Sequence, residues 1–250
     1  MRPRFLKSAV PSFNASVYSS LLTLFALNST RGGSVYESSQ VLVEALLTVG
    51  INEADYASLI ADINELAGQA FGTDMIYWVL DTIESFMRAS APDAKGREAF
   101  LHSILARTAP LSGRLSTLQR TAVKRLASEL GWSLDTLDMN VESEPNDDVR
   151  QKLEGLRIAI YSLTETSSRQ AKNAIEEMAP TAVVDCAADH GGSARLKALA
   201  ENADIFVMTW LSAKHAATEF IREHRGARTL LYAQGRGFSS ILRALDDHLR

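Results

Sequence analysis

The sequence predicts an all-α part followed by an α/β part. Apolar residues in the first half recur at three-and-four spacing, which is typical of helices packed on one face. The second half instead alternates four short runs rich in Ile, Val, Leu and Tyr with helical stretches. Between them, residues 139–155 are mainly acidic and polar, contain Pro145 and lack apolar periodicity. We therefore expect a helical bundle domain over residues 1–138, an acidic linker over 139–155 and an α/β domain over 156–250.

The helices of the first half are indicated by apolar stripes and by residues that favour helix ends. The helix over residues 116–130 opens with Ser116 and Gln119 at the spacing of a capping box, and Gly50, Gly72 and Gly131 suit helix ends. The predicted helices and their boundary residues are 40–49 before Gly50, 53–71 between Asn52 and Gly72, 74–89 after Thr73, a helix through Phe100 and Leu105 after Pro92, and 116–130 before Gly131. The pattern predicts a bundle of five to seven helices.

The second half predicts four strands, each followed by a helix. The strands are residues 157–163, 181–186, 204–209 and 228–233, and the helices are residues 166–178, 193–202, 213–225 and 238–249. Strands separated by helices of this length pair in parallel through crossover connections. We expect a small Rossmann-like domain, with a four-stranded parallel sheet and helices on both faces.

The four strand-to-helix turns predict a binding site. They span residues 164–170, 187–193, 210–215 and 234–240, and in an open parallel sheet such turns lie at the carboxyl edge, where ligands bind. Helix N-termini meet there, with free N–H groups and partial positive charge that favour an anion. We expect a small anionic ligand, a nucleotide or another phosphate compound. The expected binding residues are Thr166, Ser167, Asp185, Ser212, Lys214, His215, Gly235, Arg236, Gly237, Ser239 and Ser240.

Specific observations support several of these expected binding residues. Lys214 puts a cation in the first turn of a helix, which opposes the helix dipole unless something negative lies nearby. Gly235 and Gly237 allow backbone angles closed to other residues and flank Arg236, whose planar fork suits an anion. Ser239 suits the cap of the last helix.

Asp185 and His215 each have two interpretations. Asp185 ends the second strand, where nucleotide-binding domains often keep an acid for ribose, but it also suits an ordinary turn. His215 lies opposite the predicted inward stripe of its helix, so it is either a solvated first-turn residue or a ligand contact. The chain has neither G-x-G-x-x-G nor G-x-x-x-x-G-K-[ST], which argues against an ordinary dinucleotide dehydrogenase and a P-loop NTPase.

The C-terminal motifs carry a resemblance to a known family. The segments are Asp204–Val207, Ser212–Ala217, Phe220, Leu230–Tyr232 and Gly235–Leu245. Together they resemble the bacterial Rossmann-like domain family of unknown function DUF2325, over about residues 156–249. The resemblance implies a Rossmann-like fold and a site built on the Ser/His and Gly/Ser turns, and it implies no reaction.

Two kinds of chemistry are alternatives to simple binding. A hydrolase or nuclease-like enzyme would use His215, the best catalytic candidate, with Ser212 or with Asp185 and Asp189. However, no G-x-S-x-G elbow and no third orienting group accompany Ser212. Asp185, Asp189, His190 and His215 have metal-ligand types but no recognised metal spacing, so we expect no metal site, and no cofactor is indicated. The incomplete catalytic set favours a binding protein over an enzyme.

Composition limits the partners. The net charge of −4 gives no general attraction to nucleic acid, although a basic face over Arg114–Arg125 is a candidate DNA contact. No run approaches the roughly 20 apolar residues of a membrane span, so no membrane partner is expected. Cys186 is the only cysteine, which excludes an intrachain disulfide and fits the cytoplasm.

The predicted function is that of a regulatory or sensor protein. The α/β domain would bind the anion, and the helical domain would pass the event to a protein partner or to a second subunit. A non-catalytic protein–protein adaptor, whose turns bind another protein, is the further alternative.

Overall fold

The computed structural model describes residues 10–28, 32–68, 72–132 and 148–250, and the chain divides into two compact units, Met1–Arg107 and Thr108–Arg250. The division lies within the predicted helical domain, because the helix Thr117–Glu129 packs against helices of the C-terminal unit. Of the predicted linker, residues 139–147 lie outside the described residues, and Asp148–Leu153 form a short helix whose Leu153 is buried.

The N-terminal unit consists of helices and short turns in its described part. The helices are α1 Val10–Leu27, α2 Gly33–Val49, α3 Glu53–Ala67, α4 Ile76–Arg88 and α5 Ala94–Ala106. As predicted, Asn52 caps α3 by accepting a hydrogen bond from the Asp55 N–H at 2.9 Å. The prediction that this helix continues to Gly72 is wrong. It ends at Ala67 because Gly68 adopts φ +65°, a left-handed conformation that glycine tolerates without steric cost.

The core of the N-terminal unit surrounds α4. Every residue of α4 from Ile76 to Phe86 is buried, so this helix lies inside the bundle rather than on its surface. The buried side chain of Gln40 donates to the Asp81 carbonyl and to Ser85 Oγ, at 3.2 and 2.9 Å, and accepts from Thr82. These bonds satisfy the polar groups that α2 and α4 bury against each other.

The C-terminal unit contains the sheet. Its elements are α6 Thr117–Glu129, α7 Asp148–Leu153, β1 Arg157–Tyr161, α8 Glu165–Met178, β2 Val183–Ala187, α9 Ala194–Asn202, β3 Ile205–Thr209, α10 His215–Arg225, β4 Leu230–Ala233 and α11 Phe238–Leu249. The capping box predicted at Ser116 and Gln119 is present at the start of α6. The predicted alternation of strands and helices is therefore confirmed, with boundaries shifted by a few residues.

The described strands form one parallel sheet in the order β2-β1-β3-β4. Ala159 pairs with Asp185 of β2 on one side and with Phe206 of β3 on the other, while Val207 pairs with Leu231 of β4. The predicted four-stranded parallel sheet is confirmed. Among the described residues, no helix combines the length and apolar character that crossing a bilayer requires.

Helices cover both faces of this sheet. Ala159 and Tyr161 share a buried cluster with residues of α9 and α10, including Leu196 and Ile221. The alternate residues of β1, Ile158 and Ile160, are also buried, and α8 and α11 pack on the strands from the other side. Helix α6 packs outside α8 and α11, which explains why it joins this unit.

Arg225 connects the α9, β3 and β4 segments of this unit. Its side chain is 0% exposed, and its guanidinium donates to the carbonyls of Ala200, Ala203, Asp204 and Thr229 at 2.5–3.0 Å. Burial, and to a smaller extent the charge of Arg228, lowers the pKa of Arg225. The buried cation is tolerated because backbone carbonyls replace the water that it loses.

We expect Arg225→Met to lower the free energy of unfolding of the C-terminal unit by about 3–5 kcal/mol, since four carbonyls, two of them in buried hydrogen bonds, lose their donor. Arg225→Lys should lose less, because an ammonium keeps part of the bonding. Chemical denaturation followed by circular dichroism would measure both, with the exposed Arg228→Met as the matched control. Equal stability of the Arg225→Met and Arg228→Met proteins would contradict this role.

Candidate functional site

The candidate site is the carboxyl edge of the sheet between β1 and β3, the position of the ligand crevice in open parallel sheets. The chain runs from β1 outward to β2 but from β3 outward to β4, so the strand order reverses between the two central strands. Thr164 Oγ1 and Ser212 Oγ lie 2.7 Å apart across this point, and the Leu163 N–H donates to the Ser212 carbonyl at 2.9 Å. The loops after β1 and β3 are therefore joined at the base of the crevice.

Tyr161, the last residue of β1, contacts the loops after β2 and β3 at the same edge. Its hydroxyl donates to the Asp189 carbonyl at 2.8 Å and faces the Lys214 N–H at 3.4 Å, a long contact. Burial is the main cause that raises the pKa of Tyr161, so the phenol stays protonated and keeps its donor. The predicted turns after β2 and β3 thus meet at one side chain of β1.

The helices that start at this edge differ in how their first N–H groups are capped. In α9, Ser193 Oγ accepts from the Leu196 N–H at 3.0 Å. The structure shows no side-chain cap bond at Thr164, Lys214 or Gly237, the residues that precede α8, α10 and α11. Those three helix starts follow β1, β3 and β4, and the residue at each cap position gives its first turn no side-chain acceptor.

The prediction that Ser239 caps the last helix is wrong. The cap position belongs to Gly237, and both Ser239 and Ser240 lie inside the first turn of α11, where they are buried. Ser240 Oγ donates back to the Gly237 carbonyl at 2.9 Å. Gly237 has φ −83° and ψ 168°, an extended conformation open to other residues, so the special backbone angle predicted for it is not used.

The predicted cations and the histidine lie on the outside of the edge. Lys214 and Arg236 are exposed and precede α10 and α11, and Thr166 is exposed in the first turn of α8. The His215 side chain is 89% exposed, with Nε2 3.7 Å from Glu219 Oε1. This placement fits both interpretations of His215, a solvated first-turn residue and a contact to a ligand, and does not distinguish them.

Ser212 and His215 do not form a nucleophile–base pair in this conformation. Ser212 shares its hydroxyl hydrogen bond with Thr164, whereas His215 faces Glu219 on the outer surface of α10. Ser167 and Gly235 are buried, so they shape the edge rather than line its surface. Among the described residues, no group of three or more His, Cys, Asp or Glu side chains is placed to hold a metal ion.

Asp185 lies apart from the crevice, in a surface cavity of about 510 Å³ beside the edge strand β2. The side chains that give this cavity its chemistry are Glu165, Arg169, Lys172, Asp185, Cys186 and Arg195. Three of them are cationic and two are acidic, so the lining is mixed in charge.

Sequence reasoning missed the cations of this cavity. Lys172 Nζ donates to the Val184 carbonyl at 2.6 Å, and Arg195 donates to the Cys186 carbonyl at 2.7 Å. Both bonds go to β2, the unpaired side of which is open to such donors. Arg169 and Lys172 are three residues apart on α8, which places them on one face of the helix. Solvated helices often show this spacing, so it did not indicate a cavity.

A glycine allows the loop between β2 and α9 to lie close to α10. A Cβ added to Gly192 would lie 2.5 Å from the ring of Phe220, which itself packs on His224 with ring centroids 4.1 Å apart. Any larger residue at position 192 would have to displace that ring. The close approach explains the glycine in this turn.

We expect the Thr164–Ser212 bond to give a coupling of about 0.5–1.5 kcal/mol in a double-mutant cycle, because each hydroxyl is the partner of the other. The cycle compares Thr164→Ala, Ser212→Ala and the double variant by chemical denaturation. Thr166→Ala, on an exposed side chain of the same helix start, should be nearly silent and should show no coupling with Ser212→Ala. Strictly additive Thr164 and Ser212 effects would contradict the bond.

We expect Cys186 to react slowly with iodoacetamide at neutral pH. Burial is the main cause that raises the pKa of this thiol, and its Sγ donates to the Ser168 carbonyl at 3.4 Å. The thiolate is therefore scarcer than in a free cysteine below the raised pKa, and the rate should keep rising at pH values where a free thiol has levelled off. Mass spectrometry reads the rate directly, since Cys186 is the only cysteine. A rate equal to that of a cysteine peptide would contradict this.

Comparison with known proteins gives a family. The model of the DpdD-like family, a domain family of unknown function, matches residues 4–244, and the chain therefore belongs to that family. No curated protein and no solved structure gives a significant match. The prediction of an uncharacterised domain family is confirmed in this coarser form, and the likeness to DUF2325 stays a prediction.

Proposed function

We propose that this member of the DpdD-like family binds a small phosphorylated ligand at the carboxyl edge of its sheet and acts as a regulatory or sensor protein. The observation that carries the proposal is the group of three helix starts at this edge, α8, α10 and α11, whose cap residues Thr164, Lys214 and Gly237 make no side-chain cap bond. Elsewhere, α3, α5, α6 and α9 begin with Asn, Asp or Ser caps, whereas α2 and α4 also have no side-chain cap bond.

A helix start whose cap residue provides no side-chain acceptor favours an anion. Each helix adds a partial positive charge at its N-terminus, and a phosphate accepts several N–H bonds at once. The first turns of α10 and α11 contain no acidic residue, while Lys214 and Arg236 stand at their entrances. Glu165 in α8 is the exception on this edge, and it also lines the cavity beside β2. A bound anion would relieve the opposition between Lys214 and the dipole of its own helix.

The resemblance to DUF2325 points to the same residues. The segments Ser212–Ala217 and Gly235–Leu245 hold the starts of α10 and α11, and these are the turns on which that family's motifs lie. A nucleotide ligand and a Rossmann-like mode of binding are the finer parts of the proposal. The helical unit Met1–Arg107 would carry the response to a protein partner or to a second copy of the chain.

Phosphate-bearing ligands should raise the melting temperature of the wild-type protein, because a ligand that binds only the folded state stabilises it by mass action. Lys214→Ala/Arg236→Ala should weaken the binding of ribose 5-phosphate at least tenfold in titration calorimetry, and added salt should weaken binding to the wild type. The charge-matched control is Arg150→Ala/Lys197→Ala, which removes two exposed cations that lie outside the edge.

The control variant should bind ribose 5-phosphate as the wild type does. Equal losses of affinity in both double variants would show that net charge alone causes the effect. Identical melting curves with and without inorganic phosphate, ribose 5-phosphate and nucleotides would refute the proposed function.

A further inference from the structure

A cluster of exposed aromatic side chains lies beside the candidate site. Trp210 is 53% exposed and Tyr232 is 40% exposed, and their ring centroids are 6.2 Å apart at an interplanar angle of 71°. In this edge-to-face arrangement the edge of one ring lies against the other, and the exposed fractions show that both rings keep surface open to solvent. Large aromatic side chains that remain this accessible on a folded surface mark sites of recognition more often than single exposed aliphatic residues do.

Arg222 completes the cluster. Its guanidinium carbon lies 5.7 Å from the centroid of the Trp210 ring and 5.6 Å from that of Tyr232, and its Nε donates to the Tyr232 hydroxyl at 3.1 Å. The structure pairs no carboxylate with Arg222 among the described residues. The guanidinium thus orders both rings and keeps further donors for an incoming acceptor.

The cluster is connected to the crevice by a single turn of chain. Trp210 and Ser212 belong to the same 3₁₀ turn, Trp210–Ser212, which directly follows β3. Ser212 bonds Thr164 at the base of the crevice, whereas Trp210 reaches Tyr232 on the edge strand β4. Both contacts therefore start from the same three-residue turn, which places the aromatic cluster next to the crevice along the chain.

We infer that Trp210, Tyr232 and Arg222 bind the base of a nucleotide whose phosphate occupies the proposed anion site. This inference rests on the proposed function and specifies its ligand class. Bases stack on aromatic faces, and an arginine beside them donates to base or phosphate acceptors. The cavity beside β2 has no aromatic residue in its described lining, so it offers no comparable surface to a base.

The experiment compares adenosine, guanosine, cytidine and uridine 5′-monophosphates with ribose 5-phosphate on the full chain. At least one nucleotide should bind the wild type about tenfold more tightly than the sugar phosphate does, as expected for one stacked base. Trp210→Ala should remove this difference and leave the affinity for ribose 5-phosphate within about twofold of the wild-type value. Trp210→Phe, which keeps an aromatic face, should retain part of the difference.

Val183→Ala is the matched control, because Val183 is an exposed apolar residue on the opposite edge strand and should not change either affinity. Tryptophan fluorescence gives a second measurement that does not need an altered affinity. The nucleotide should quench the wild type but not the Trp210→Phe variant, in which Trp78 and Trp132 remain.

The outcomes separate this inference from the proposed function. If all five compounds bind equally, the aromatic site is refuted while the anion site stands. If free nucleosides quench Trp210 but no phosphate compound binds more tightly than its nucleoside, the aromatic site stands and the anion site fails. Binding of a single-stranded oligonucleotide without binding of any mononucleotide would also overturn the inference.

Discussion

The pairing of β1 with β2 on one side and β3 on the other is the constraint that organises the C-terminal unit. It makes β1 a central strand buried on both faces, and it reverses the strand order between β1 and β3. A central parallel strand requires helices above and below, which α9 and α10 provide on one face and α8 and α11 on the other. The same reversal places the loops after β1 and β3 at the point where open parallel sheets bind ligands, and here the Thr164–Ser212 bond joins those two loops.

Backbone polar groups at the two ends of the sheet differ in the side-chain hydrogen bonds that they receive. At the amino end, Arg225 gives the carbonyls of α9 and of the segments before β3 and β4 a donor within the protein. At the carboxyl edge, Thr164 uses its hydroxyl to bond Ser212 instead of capping α8, and Lys214 and Gly237 provide no cap for α10 and α11. The stability that side-chain caps from these three residues would add is thus absent at the edge where we propose that a ligand binds.

Much of the fold could be predicted because its signals are local. The capping positions Asn52 and Ser116 and the four strands were readable from short segments, since each depends on neighbouring residues. The errors arose where two local solutions compete. Gly68 and Gly72 are both suited to ending a helix, and Gly68 does so by taking positive φ. Gly237 and Ser239 are both suited to beginning one, and packing places Ser239 inside α11. The assignment of α6 to the C-terminal unit depends on its contacts with α8 and α11, which no pattern within α6 reveals.

Patterns along the chain are enough to establish the order of elements, the parallel direction of the strands and the presence of four polar turns at one edge. These follow from the period of apolar residues and from the length of the segments that join strands. Which turns become neighbours depends on the strand order, and the same strands and helices could pack in more than one order. Packing joined Thr164 to Ser212, put Asp185 in a separate cavity and brought Trp210, Arg222 and Tyr232 together from three elements. Side chains distant in sequence meet only when the sheet and its helices pack, so no local pattern predicts these contacts.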